Sequence, residues 1–228
     1  MSAEKDLELI LLLAHEIRAP LGIVKESISL VVDKILGKTN EKQQKVLLTA
    51  RRNTDRIDRI IMNVVDLFKL EAGRLELQKL PFDLMTVMRQ VTAVFQPQAD
   101  AGGLKFKVIS SAENLPVVAD KTRIVNVLSQ LVGNAIKFTE KGSVDVHLEK
   151  TSHGVVCSVH DTGIGIAPEN LSRLFRKFEQ FGWVPGGGEK GMGIGLAVAK
   201  GIMELHGGTI TVESQLGAGS TFRFTVPA

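Results

Sequence analysis

The chain has 228 residues, enough for one large domain or two small ones with a buried core. Its 44% hydrophobic and 23% charged residues exclude global disorder, and a net charge of +3 is too small and too mixed to point to nucleic acid. One cysteine, Cys157, excludes an intrachain disulfide and reads as a buried, inert thiol of a reducing compartment, while the longest fully apolar run, Leu9 to Ala14, is far short of the roughly 20 residues of a membrane span.

From Leu7 the apolar positions run Leu7, Ile10, Ala14, Ile17, Leu21, Val24, Ile28, Val31 and Ile35. Their spacings alternate between three and four, the seam of a coiled coil or helical bundle. Gly37 is expected to stop this helix, and Thr39-Asn40 followed by Gln43 reads as an N-cap with a capping box. A second seam follows at Val46, Ala50, Asn53, Ile57, Ile60, Val64 and Leu67. Two helices joined by a short turn form an antiparallel hairpin that cannot bury its seam alone, so a homodimer closing a four-helix bundle is expected. His15 follows the seam residue Ala14 and flanks the seam beside Glu16, exposed and available. Pro20 removes a helical hydrogen bond and is expected to kink the rod near His15. On the helix alone, a surface histidine and a tolerated bend explain both residues. A zinc reading of His15-Glu16 fails because position 19 is an alanine.

Glu71-Ala-Gly73-Arg is a breaker and Leu75 to Leu80 alternates like a short strand, so the hinge between two domains is placed here, with residues 1–72 before it and 73–228 after it. Asp83 is expected to cap a helix running toward Pro97. Strands are expected at Leu104 to Ile109 and Val117-Val118, then a helix from Lys121 to Phe138 capped by Asp120. Further strands follow at Ser143 to Glu149, Val155 to His160, Gly208 to Glu213 and Thr221 to Val226. This order argues for a sheet with helices on one face, an α/β sandwich, and not for the alternating units of a dinucleotide fold. The class is therefore α+β: a helical hairpin followed by the sandwich.

Within the helix from Lys121, Gln130, Asn134 and Lys137 fall at i, i+4 and i+7 and share a face. An amide oxygen suits Mg²⁺ and a lysine suits phosphate, although in isolation a solvated polar face is the better account of Gln130 and Asn134. What tips the balance lies downstream. Asp161-Thr-Gly163-Ile-Gly165 and Gly191-Met-Gly193-Ile-Gly195-Leu196 are two glycine-rich turns, the second leading into an apolar-periodic helix from Ile194 to Leu205. Free backbone N–H groups at a helix start cradle phosphate.

Together these residues resemble the catalytic core of a sensor histidine kinase of two-component signalling, over about residues 7 to 227. His15-Glu16-Ile-Arg18-Ala-Pro20-Leu21 resembles the phospho-acceptor H box, and Gln130 to Thr139 the N box. Asp161 to Gly165 resembles the G1 box, Leu174 to Gln180 the F box, and Gly191 to Leu196 the G2 box. The resemblance implies that ATP phosphorylates His15, with Glu16 taking the proton or orienting the ring, and that the phosphoryl group passes to an Asp of a response regulator receiver domain. It implies that Asp161 accepts from the adenine amino group, with Gly163 and Gly165 letting the base approach. Asn134 would hold Mg²⁺, Lys137 would contact phosphate, and Gly191, Gly193 and Gly195 would cradle it. Residues 181–190 would form a lid, with Phe175 and Phe178 packing its root, although core packing accounts equally well for both. The expected location is the cytoplasm, free or as the cytoplasmic part of a membrane sensor, without membrane contact by this segment.

Two positions depart from the family pattern. Gln130 stands where Asn is usual, and Ala19 stands where Thr or Asn often positions the water that dephosphorylates the regulator, which predicts weak phosphatase activity. The alternative functions are an ATPase of the same superfamily, disfavoured because Gln130 cannot act as a general base, and a catalytically impaired dimeric scaffold that binds nucleotide and a regulator. His147, His153, His160 and His206 have no ligand spacing.

Overall fold

A computed structural model describes residues 2–181 and 192–227, and the chain divides into two compact units, Met1–Leu75 and Glu76–Ala228. The class is the expected α+β, a helical hairpin followed by an α/β sandwich.

The first unit is the hairpin of α1 (Ser2–Val32) and α2 (Glu41–Glu71). The capping box forms as read: the Asn40 side chain accepts from the Gln43 N–H at 2.9 Å, and the Asn40 N–H donates to Gln43 Oε1 at 2.9 Å. The stop of α1 comes earlier than Gly37. Lys34 takes the left-handed conformation (φ 61°) and the Ile35 N–H closes on Leu30 O at 3.0 Å, so Ile35 leaves the seam and is exposed. α1 runs without interruption through Pro20.

The seam between the helices is rotated from the expected one. Ala14, Ile61 and Val65 form its centre, with Ile10 and Leu21 packed against them, and Thr54 is buried about two turns before Ile61 on α2. Val46 and Ile57, expected inside, are 69% and 43% exposed. α2 carries two overlapping apolar stripes about one residue, or ~100°, apart, and the hairpin buries the one that includes Thr54. Burial of that threonine is tolerated because its hydroxyl donates to Arg51 O at 2.8 Å. Lys25–Asp55 (2.6 Å) and Arg18–Asp58 (3.9 Å) bridge α1 and α2 on the surface. Such exposed pairs add little stability.

The second unit comprises β1 (Leu80–Asp83), α3 (Leu84–Ala101), β2 (Lys105–Ser110), β3 (Pro116–Ala119), α4 (Lys121–Phe138), β4 (Ser143–Thr151) and β5 (Gly154–Asp161), followed by α5 (Pro168–Leu171), α6 (Gly195–Leu205), β6 (Ile210–Gln215) and β7 (Gly219–Pro227). The main sheet has the order β2-β4-β5-β7-β6, with β2 and β4 parallel and the other pairs antiparallel, while β1 and β3 form a separate ribbon. Val144, Val146, Leu148, Val155, Cys157, Val159, Phe224 and Val226 point into the core, and the alternate residues His147, Ser158 and Arg223 face the other way. α3, α4 and α6 pack on the apolar face. Burial at the middle of β5 raises the Cys157 thiol well above its ordinary range.

Two expectations are corrected here. The alternating run 75–80 is irregular up to Lys79, because its backbone meets a side chain and not a strand: the Gln78 N–H donates to Asp120 Oδ2 at 3.0 Å. Pairing starts only at Leu80, opposite Ala119. The helix capped by Asp83 does not end at Pro97 but continues to Ala101, losing only the one bond that a proline cannot donate.

Candidate active site

Asp161 ends β5 at the sheet's edge of a cavity of about 140 Å³. Its walls are Asn134, Ala135 and Phe138 from α4, the turn from Ile164 to Ala167, Asn170 and Leu174, Leu196 from α6, and Leu216, Ser220 and Phe222 from the last hairpin. Phe181 completes them. The lining is mostly apolar with a few convergent polar groups, the composition of a site for a planar organic group.

The carboxylate is held from two sides. Asp161 Oδ1 accepts from the Gly163 N–H at 2.9 Å, and the backbone N–H of Ser220 donates to the same carboxylate. Burial outweighs both bonds and leaves the acid above its ordinary value. A desolvated, oriented carboxylate of this kind is a strong acceptor for an amino group presented by a ligand.

On α4, Gln130 and Asn134 meet: Gln130 Nε2 donates to Asn134 Oδ1 at 3.2 Å. Asn134 reaches the cavity, whereas Gln130 stands behind it against the start of α6. A Cβ on Gly195 would collide with the Gln130 amide, so this glycine lets α4 and α6 approach. Gly165 is constrained twice, by φ 65° and by the Gln215 carbonyl where its Cβ would stand. These glycines serve the chain's own packing, a role the sequence reading assigned to ligand approach alone. Gly193 accepts the Phe178 N–H at 2.9 Å.

α6 begins at Gly195 with Ile194 as N-cap, and no side chain among the described residues caps it. No described side chain therefore competes with an anion for its first N–H groups. Lys137 lies a turn beyond Asn134, exposed, with Nζ 5.2 Å from the Phe138 ring centre and outside the cavity lining. Gly191 and residues 182–190 of the expected lid lie outside the described residues. Phe175 is half-buried and Phe178 is 65% exposed.

His15 and Glu16 belong to the hairpin unit, both exposed on α1 beside buried Ala14. No group of three or more His, Cys, Asp or Glu placed to hold a metal occurs among the described residues. The sequence reading missed the apolar walls Ile164, Leu174, Leu216 and Phe222 and the polar lining residue Asn170. Only Phe222 carried a local signal, the alternation of β7 that turns it and Phe224 inward.

Comparison with known proteins agrees with this geometry. Residues 7–73 match the family of the His Kinase A (phospho-acceptor) domain, and residues 119–228 match the histidine kinase-, DNA gyrase B-, and HSP90-like ATPase family. The catalytic domain of the histidine kinase ThkA, in a nucleotide-free form, is 32% identical with a TM-score of 0.59, across 66% of this chain and 97% of that one.

The chain belongs to the sensor histidine kinases.

Other members extend the likeness over both units. Histidine protein kinase DivJ of Caulobacter vibrioides is 31% identical over 94% of this chain and 36% of its own length. Full-length ShkA, solved in complex with AMPPNP, is 30% identical with a TM-score of 0.73, across 97% of this chain and 46% of that one. The chain thus spans about a third of the length of DivJ. No helix among the described residues is long and apolar enough to cross a membrane.

Proposed function

We propose that this chain, as a homodimer, transfers the γ-phosphoryl group of ATP to His15 and then passes it to an aspartate of a response regulator receiver domain. The observation that carries the reading is Asp161, a desolvated carboxylate fixed by two backbone N–H groups at the edge of an apolar cavity. An adenine ring fits such a cavity, with its amino group donating to the free lone pairs of Asp161.

The phosphates would then run toward the uncapped start of α6, with Gly191, Gly193 and Gly195 beside them and Lys137 contributing charge. The donor set also suits Mg²⁺: one half-buried amide oxygen, Asn134 Oδ1, oriented by Gln130, with the phosphates supplying further oxygens. When bound, Mg²⁺ supplies charge neutralisation on the phosphate oxygens. A ring nitrogen of His15 attacks the γ-phosphorus while the bond to the β,γ-bridging oxygen breaks and ADP leaves. Glu16 takes the proton or orients the ring. Positioning and neutralisation carry the rate.

We assign residues 1–72 to the dimerisation and phospho-acceptor domain and 73–228 to the catalytic domain. Acceptor and nucleotide are on different units, so the segment 71–80 must let them meet. The chain acts in the cytoplasm, free or as the cytoplasmic part of a membrane sensor.

The test is labelling with γ-labelled ATP and Mg²⁺, comparing the chain with His15→Gln. Acid-labile, alkali-stable label that vanishes in the variant is the expected result. Nucleotide binding without label would overturn the kinase reading in favour of a scaffold.

A further inference from the structure

The turn after α5 carries an arginine whose contacts converge on one wall of the cavity. Arg173 Nη2 lies 2.7 and 2.8 Å from the two Glu179 oxygens, and its Nε lies 3.1 Å from Oε1. A bidentate fork is directional in a way that an ordinary surface pair is not. The same guanidinium stands 5.5 Å from the centre of the Phe181 ring, within cation–π range. Phe181 is one of the cavity walls.

The stretch between these partners is under strain. Phe178 holds a left-handed backbone, φ 64°, rare for a bulky residue, and its N–H is tied to Gly193 O in the second glycine turn. Such a conformation persists only when its surroundings over-determine it. The Gly193 contact fixes one end of the strained turn, and the Arg173–Glu179 fork fixes the other.

We propose that Arg173 is a positioning residue of the nucleotide site: through its fork to Glu179 and its stacking on Phe181 it holds the aromatic wall against the base. The inference rests on the nucleotide reading given above. Arg173 is not itself a wall of the cavity, so its loss weakens binding of the base and leaves the transfer step alone.

The test is calorimetric titration of ADP into the full chain, with initial rates of His15 labelling over a range of ATP concentrations. In Arg173→Gln the Kd for ADP and the KM for ATP rise together by about tenfold, while the maximal labelling rate stays within about twofold of the parent. Arg173→Lys keeps the charge, loses the planar fork and does not restore affinity. Phe181→Ala gives a similar loss, and combining it with Arg173→Gln adds nothing further, since both act on one wall. Glu179→Gln, a milder change that leaves the arginine in place, weakens binding in the same direction. Unchanged ADP affinity in both Arg173→Gln and Glu179→Gln overturns the inference while the nucleotide reading stands. A fall in maximal rate with unchanged KM overturns it as well. Absence of ADP binding by the parent chain removes the nucleotide reading and the inference together.

Discussion

Asp161 works against the stability of the unit that carries it. Its folded-state acidity is weakened by burial, so relative to the unfolded chain the folded state prefers the protonated acid. Below the ordinary carboxylate value that preference has no effect. As pH rises through the elevated folded value the carboxylate ionises in a desolvated place, and stability is lost. Asp161→Asn removes that penalty while keeping the size of the side chain. At neutral pH the variant is expected to melt no lower than the parent and to bind ADP at least about tenfold more weakly, because a charged acceptor is replaced by an amide. Thermal melting and calorimetry on the same sample check both halves. A coincident loss of melting temperature would mean that the carboxylate is a structural tie and not a binding group.

Between elements, His206 joins α6 to α4. It is 6% exposed, its Nε2 accepts the Asp120 N–H at 3.0 Å, and Nδ1 donates to Ile202 O at 2.8 Å. Both ring nitrogens are thereby committed and the neutral tautomer is fixed, and burial lowers its basicity. The unfolded histidine takes up a proton near pH ~6.5 and the folded one resists it, so stability present above that pH falls as pH drops toward the folded value. Urea midpoints of the parent chain should fall between pH 7.5 and 5.5 by up to ~1.4 kcal/mol per pH unit in ΔG, and His206→Gln should remove this contribution to the slope. His206 has no ligand spacing in the sequence, and nothing local could reveal its tie to Asp120, 86 positions away. Other elements were legible because their signals are local. The bounds of α4 follow from the cap at Asp120 and an apolar period, and the capping box at Asn40 needs only four residues. The run 75–80 misled because alternation marks a strand only where a partner strand exists. In the site, Asp161, Asn134 and Gly165 announced themselves by residue type in a resembling pattern. The apolar walls did not, since a leucine that lines a cavity and one that fills a core read alike.

At the scale of the molecule, the hairpin leaves a second apolar stripe uncovered. Leu12, Ile17 and Val24 on α1 and Val46 and Ile57 on α2 are all more than two-fifths exposed in the single chain. Exposed apolar surface of this extent marks an association face. If a second copy covers it, Val46→Glu combined with Ile57→Glu should convert a dimer to a monomer in light scattering and leave ADP affinity of the catalytic unit within about twofold. A monomeric parent chain at micromolar concentration would exclude the four-helix bundle. In the dimer, one stripe of α2 would hold the hairpin together, and Val46 and Ile57, singled out by the alternating spacing but exposed in the hairpin, would serve the second copy.

The sealed position of Cys157 has an experimental corollary. The chain owns a single sulfhydryl, on the strand between β4 and β7, with its side chain wholly enclosed and its ionisation suppressed. To an alkylating reagent the native molecule therefore behaves as cysteine-free, and new thiols placed at its surface can be labelled selectively without first replacing this one. Any slow label that does arrive at Cys157 times the parting of the central strands, a clock for the opening of the catalytic unit built into the wild-type chain.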